Sequence, residues 1–134
     1  MSAHIKAVVV GDIPAHRLLW LYTSEDGETM RIGLPTRGGQ PVDFVSTRDL
    51  KDGEEVTVSV RGRLIWEVET AEEVAPGDNV YADTDGRIVS HHSQYLHAVG
   101  YVLDAGQPGE IVRLVRNYKF KDTKMQEQDG QQEE

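Results

Sequence analysis

The sequence predicts a mainly β protein: a small single-domain β-barrel or β-sandwich built from two similar β units, with polar terminal extensions. Three observations predict this class. Apolar and polar residues alternate over short runs, turn-forming residues separate these runs, and no run carries an amphipathic helix of three turns. The length of 134 residues is typical of one domain and allows a modest hydrophobic core.

The alternating runs are the predicted strands. In chain order the clearest are TMRIGL at residues 29–34, EVTVSV at 55–60 and LIWEV at 64–68, followed by two strands within YVLDAGQPGEIVRLV at 101–115. A period of two places the apolar side chains of each run on one face, which we expect to face a core. Within LIWEV, for example, Leu64, Trp66 and Val68 share a face. The connectors DGE, PTRGGQP, KDGEE, APGDN, TDG and QPG are rich in turn-forming residues.

The predicted strands and turns follow the same order in the two halves of the chain. A short strand precedes an Asp-Gly turn in each half, and a Gly-Glu turn later precedes an alternating strand in each half. We therefore expect two similar β units that pack into one core. The matching residues are Leu19, Trp20 and Leu21 with Val80, Tyr81 and Ala82, Asp26-Gly27 with Asp85-Gly86, and Gly53-Glu54 with Gly109-Glu110.

Charge and composition exclude several classes of function. The formal net charge of −9 argues against a broad nucleic-acid-binding surface, because phosphate contacts need clustered Lys and Arg. The chain contains no cysteine, which excludes disulfides and thiolate chemistry. The first residues include no apolar run of signal-peptide length, and no apolar stretch is long enough to span a membrane. We expect a soluble protein that is not exported and has neither nucleic acid nor membrane as a partner.

The stretch GDNVYADTDGRIVSHHSQYLH at residues 77–97 is the strongest candidate for a metal or acid–base site. The stretch does not match the calcium-binding loop of an EF-hand. An alignment on Gly86 places Tyr81 at the first ligand position and His92 at the twelfth, where the loop needs acidic residues. A site made of His91, His92 and His97 is disfavoured, since neighbouring residues of a strand point to opposite faces. A histidine site formed through a loop stays open as an alternative.

The acidic residues of this stretch have a structural explanation. Asp85 before Gly86 is the ordinary requirement of a tight hairpin turn, and Asp83 precedes that turn. The chain also lacks a GxSxG nucleophile motif and a phosphate-binding glycine loop. We therefore predict polar hairpin tips, no catalytic residues, no metal and no cofactor.

Three segments resemble the small capsid decoration, or cement, proteins of tailed bacteriophages. They are DIPAHRLLWL, DLKDGEEVTVSVRGRLIWEVETAEEVAPGDNVYADTDGRIV and AVGYVLDAGQPGEIVRLV, and the resemblance covers residues 7–116. It implies a structural virion protein, not an enzyme, that binds the outer surface of a phage head and stabilises the lattice of the major capsid protein. It also implies a homo-oligomer, commonly a trimer, found on the virion and in the host cytoplasm during assembly. The alternatives are a tail or baseplate adaptor, or a metal-binding or ligand-binding β-barrel.

The domain organisation follows from the resemblance and the composition. We expect an N-terminal arm at residues 1–8, a β-rich domain at 9–117 and a polar acidic tail at 118–134, whose composition predicts disorder. The arm is expected to add a strand to the sheet edge of a neighbour. The predicted capsid or subunit interface consists of Ser2, Ala3, His4, Ile5, Lys6, Ala7, Asn117, Tyr118, Lys119 and Phe120.

Overall fold

The computed structural model describes residues 4–59, 63–90, 95 and 97–116, and in these residues the protein is all-β. None of the described residues forms a helix of the length and apolar character that would cross a membrane. The strands are β1 (His4–Val9), β2 (Leu18–Thr23), β3 (Met30–Gly33), β4 (Phe44–Val45), β5 (Glu55–Ser59), β6 (Ile65–Glu69), β7 (Asn79–Ala82), β8 (Ile88–Val89), β9 (Gly100–Val102) and β10 (Ile111–Arg116).

The strands form two five-stranded sheets that follow one another along the chain. The first sheet has the order β4-β2-β3-β1-β5, and the second has the order β6-β10-β9-β7-β8. Neighbouring strands are antiparallel except β1 and β3, which are parallel. The predicted mainly β fold with two similar units is confirmed, and we call residues 4–59 the first unit and residues 63–116 the second unit.

The two units repeat the same pattern of strand pairing. The antiparallel pair β1–β5 corresponds to β6–β10, and the hairpin β2–β3 corresponds to β7–β8. The pair β2–β4 corresponds to β7–β9. Isolated bridges also match: Ile13 with Leu50 in the first unit, and Val74 with Gly106 in the second. The repeated order of features in the sequence therefore reflects a repeated β topology.

Each unit has its own apolar cluster, which differs from the single core that the sequence led us to expect. The buried side chains of each sheet pack mainly against one another, so the two sets of apolar residues are largely separate. Leu18 on β2 of the first unit belongs to the buried cluster of the second, and the partly buried Val42 and Val45 of the first unit also pack against that cluster. The cluster of the first unit is Ala7, Val9, Ile13, Leu19, Ile32 and Leu50; that of the second is Trp66, Val68, Val74, Val80, Ala82, Ile88, Val102, Val112 and Leu114, with Leu18.

The predicted Asp85-Gly86 turn lies at the joint between the units. The Gly86 carbonyl accepts a hydrogen bond from the Leu18 N–H at 2.7 Å, and the Asp85 carbonyl accepts one from Arg17 at 2.9 Å. Gly86 has a φ of +82°, and a Cβ there would lie 2.8 Å from the Leu34 side chain. The turn therefore needs glycine for its backbone conformation and for its close contact with the first unit.

The units differ at one strand pair. In the second unit β9 pairs with β10, which joins Val102 to Leu114 and Gly100 to Arg116. The equivalent strands of the first unit, β4 and β5, are the two edges of their sheet and do not pair with each other. In the part of the chain that the structure describes, the first unit is therefore an open half-barrel.

Candidate interaction surfaces

An apolar row crosses three strands on the outer face of the second sheet. Val115 pairs with Ile65 on β6 and with Tyr101 on β9, and cross-strand neighbours share one face of a sheet. Ile65 and Tyr101 are each 44% exposed, and Leu64, which precedes Ile65, is 49% exposed. We call Ile65, Tyr101 and the half-buried Val115 that pairs with both the exposed row. Leu64, which was predicted to share a face with Trp66 and Val68, lies just before β6 and is exposed, so the buried part of that face begins at Trp66.

Charged side chains occupy the neighbouring positions on this face. Arg113 pairs across the ladder with Glu67, and its guanidinium Nη2 lies 2.7 Å from an oxygen of Asp104. Hydrogen bonds from Arg113 lower the pKa of Asp104 to about 2. These groups keep the rest of the face solvated, so the exposed row is a distinct apolar surface. Contiguous exposed apolar surface commonly marks an interaction site.

A groove of about 320 Å³ lies between β4 and β5, where the first unit is open. Its floor is apolar, and Asp43, Arg48 and Arg63 provide charged groups along it. Arg48 forms an ion pair with Glu54. The apolar side chains that line the groove include Leu19, Phe44, Val45, Leu50, Val56 and Val58, and Trp66 of the second unit also lines it.

The residues at positions 44 and 100 explain why β9 pairs with β10 in the second unit while β4 and β5 of the first unit remain apart. Phe44 pairs with Leu19 on β2, as Gly100 pairs with Val80 on β7, so the two positions are equivalent. A Cβ at Gly100 would lie 1.8 Å from the Val115 carbonyl oxygen. Only glycine permits β9 to approach β10 so closely, whereas Phe44 carries a large side chain at the corresponding place on β4.

A charged network joins the units beside the Asp85-Gly86 turn. The Glu69 carboxylate lies 3.2 Å from Arg17 and 3.5 Å from Arg87. Arg87 also donates from Nε to Asp85 at 2.7 Å. Burial raises the pKa of Asp85, but the hydrogen bonds and charge of Arg87 outweigh it and leave that pKa below its ordinary value. The network fixes the turn against the first unit, which gives Asp85 a structural role.

The candidate metal and acid–base residues do not form a described site. The Asp83 carbonyl accepts a hydrogen bond from the Gly86 N–H at 2.9 Å, as expected of a hairpin turn. His91 and His92 lie outside the described residues, and His97 is exposed. Within the part of the chain that the structure describes, no three His, Asp or Glu side chains come together as metal ligands.

The predicted interface residues are only partly described. His4, Ile5, Lys6 and Ala7 lie in β1, and each pairs with a residue of β5 in its own chain. Residues 4–8 of the expected arm thus form part of the first sheet, and their main-chain groups facing β5 are used within the chain. A further contact of these residues with a head or a second subunit stays a prediction. Ser2, Ala3, Asn117, Tyr118, Lys119 and Phe120 lie outside the described residues, as does the tail at 118–134.

Comparisons with known proteins agree on one family. A family model described as head fiber protein matches residues 1–134. The head fiber protein of Bacillus phage Nf is 29% identical over 109 residues, which cover 81% of this chain and 41% of that relative. The chain thus spans less than half the length of this curated relative. A crystal structure of the head fiber gp8.5 N base of bacteriophage phi29 is similar in fold, with a TM-score of 0.74 and 24% identity over 87% of this chain and 95% of that one.

Proposed function

The chain belongs to the family of phage head fiber proteins, and on this basis we propose that it is a structural virion protein that binds the outer surface of a phage head. The recognition of a phage head-associated protein family from the sequence is confirmed. We propose further that bound copies stabilise the lattice of the major capsid protein. The chain would act by binding and not as an enzyme.

The family match is the observation that carries this proposal, and the exposed row supports it. A surface that includes Ile65 and Tyr101 removes apolar area from water when it is covered, and this is a main source of binding free energy. Paired charges such as Arg113 with Asp104 surround the row, which gives it the apolar centre and polar rim of a protein interface. We propose that the head surface covers the exposed row.

The proposal extends to partners and location. The direct partner on the head would be the major capsid protein, and copies of the chain would associate with one another on the head. Repeated modest contacts over a lattice of sites strengthen attachment well beyond a single contact. The protein would meet the head in the host cytoplasm during assembly and remain on the outside of the virion.

A pelleting experiment tests the proposal. Purified protein is mixed at increasing concentration with heads that were assembled without it, and the heads are sedimented. The number of copies bound per major capsid subunit is then measured on a quantitative gel. Saturation at a fixed ratio is the expected result. Binding to isolated tails with no binding to heads would instead identify a tail or baseplate adaptor.

A further inference from the structure

We propose that the groove between β4 and β5 binds an extended segment of the head surface as an added strand on β5. This inference rests on the proposed attachment to a head, and it names a second contact besides the exposed row. The segment that fits the groove has apolar side chains at alternate positions and an acidic side chain at one end. Added strands bind through main-chain hydrogen bonds, while pockets select the alternate side chains.

Main-chain groups along one edge of β5 are directed toward the groove. Both main-chain groups of Val9 on β1 bond to residues just before β5. Bonding groups alternate in direction along an antiparallel strand, so Ala7 also bonds across, to its partner Val56. The N–H and carbonyl groups of Glu55 and Thr57 therefore point away from β1. Of the described strands, only β1 pairs with β5, so this open edge of β5 is available to an added strand.

The internal repeat shows the strand pairing that the open edge lacks. In the second unit β9 pairs with β10, the strand that corresponds to β5. Phe44 of the first unit stands where Gly100 permits that approach, and it lines the groove with Val56 and Val58. The groove of about 320 Å³ is within the size range of ligand sites. Apolar side chains at alternate positions of an inserted strand would cover the two valines.

Positive charge marks one end of the groove, although the chain as a whole has a formal net charge of −9. Arg63 lines the groove and forms no ion pair with a residue that the structure describes. The Arg116 guanidinium lies beside it and donates to the Arg63 carbonyl at 2.9 Å. Elsewhere along the groove Arg48 is paired with Glu54, and Asp43 accepts a hydrogen bond from a main-chain N–H of β2. Charge complementarity therefore places the acidic residue of the segment beside Arg63.

The groove adjoins the surface that we assign to head contact. Arg63 lines the groove, Leu64 follows it with 49% of its surface exposed, and Ile65 of the exposed row is the next residue. A segment that leaves the groove beside Arg63 thus reaches the exposed row directly. Two adjoining contacts with one partner strengthen each other, which favours the head as the source of the segment.

Hydrogen exchange of the β5 amides on heads tests the proposal. The protein is bound to heads that were assembled without it, exchanged, quenched and analysed by mass spectrometry. We expect the amides of Glu55 and Thr57 to exchange at least about tenfold more slowly in bound than in free protein, because an added strand bonds to them. Unchanged exchange in protein that sediments with heads would overturn the groove contact and leave head attachment intact. Protein that does not sediment with heads would overturn both.

A proline at position 57 tests the main-chain contact. Thr57→Pro removes an N–H from the open edge of β5 and leaves the bonds to β1, because proline is tolerated on an edge strand. The matched control Thr57→Ala removes the same side chain and keeps the N–H. We expect the proline variant to bind heads at least about tenfold more weakly than the control. Equal binding by the two folded variants would overturn the proposal.

Charge reversal at Arg63 tests the proposal independently of the proline variant. Arg63→Glu should weaken binding to heads at least about tenfold, because it opposes the acidic residue of the segment. The control Arg37→Glu makes the same change of charge at an exposed residue outside the groove and should bind like the wild type. Equal affinity of the two variants would overturn the proposal.

Photo-cross-linking distinguishes the head from a second copy of the chain as the source of the segment. The chain has no cysteine, so Thr57→Cys provides one attachment point for benzophenone maleimide. Irradiation of the labelled protein on heads should join it to a head protein. The same label on Gln107→Cys, in the turn before β10, should give no such product. Products that join two copies of the chain, or equal linking from both positions, would overturn the proposal.

Discussion

Gly100 and Phe44 occupy equivalent positions, and they determine whether each unit closes. The sequence shows that a glycine lies in a predicted strand, but it does not show which neighbouring strand approaches that glycine. The sequence therefore did not indicate that the Val115 carbonyl would lie 1.8 Å from a Cβ at Gly100. The role of Asp85 and Gly86 was predictable, because an Asp-Gly turn has a local cause that needs no knowledge of the fold.

Replacement of Gly100 tests the closure of the second unit. Gly100→Ala should lower the free energy of unfolding by about 3 kcal/mol, because β9 must move away from β10 to make room for the methyl group. Gly33→Ala is the control, since Gly33 also lies in a strand but has no atom within 3.7 Å of a Cβ. Urea unfolding at neutral pH measures the free energy of unfolding of both variants and of the wild type. Similar losses for the two variants would contradict the assignment.

Replacement of Glu69 tests the charged network at the joint. Glu69→Gln removes the negative charge shared by Arg17, which is largely buried, and Arg87, which is partly exposed and stays paired with Asp85. We expect a loss of about 2 kcal/mol in the free energy of unfolding. The control is Glu67→Gln, at an exposed position of the same strand. It should lower the free energy of unfolding by less than about 0.5 kcal/mol. If the two variants are equally stable, the network does not join the units.

At the scale of elements, the period-two runs predicted most of the longer strands. TMRIGL contains β3 and EVTVSV contains β5, while LIWEV overlaps β6 and YVLDAGQPGEIVRLV overlaps β9 and β10. The sequence indicated β4 less clearly, because a strand of two residues has too few positions to show alternation. The exposed row was missed for a related reason. Ile65 and Tyr101 are outward-facing apolar residues, and a pattern of alternation assigns apolar residues to the core.

Acid titration tests the link between Arg113 on β10 and Asp104 in the bend that follows β9. Arg113 lowers the pKa of Asp104 to about 2, so the carboxylate holds fewer protons in the folded protein than in the unfolded chain. Its contribution to stability is present above about pH 4 and is lost as the pH falls toward 2. Asp104→Asn should therefore melt at a lower temperature than the wild type at pH 6 and at the same temperature at pH 2. A difference that is independent of pH would contradict this link.

At the scale of the whole molecule, the sequence predicted the two similar units but not their joint. The repeat was visible because turns and strands occur in the same order in both halves. The joint depends on contacts between residues that are distant in sequence, such as Leu18 with the apolar cluster of the second unit, and these contacts have no local signal in the sequence. The open side of the first unit was hidden for the same reason.

Binding of surface variants to heads tests the central claim that the chain attaches to a phage head through the exposed row. The variant with Ile65→Ser and Tyr101→Ser removes two exposed apolar side chains of the row. The control Ile111→Ser changes a residue with the same exposed fraction, 44%, at the far end of β10. Sedimentation with heads that lack the protein, over a range of concentrations, gives the affinity of each.

We expect the wild type and the Ile111→Ser control to saturate the heads at one fixed ratio and with similar affinity. The row variant should bind at least about tenfold more weakly, because the apolar centre of an interface contributes most of its binding free energy. Circular dichroism and thermal melting establish that all three proteins are folded. Wild-type protein that does not sediment with heads would contradict head attachment, and equal binding by the row variant would contradict the role of the exposed row.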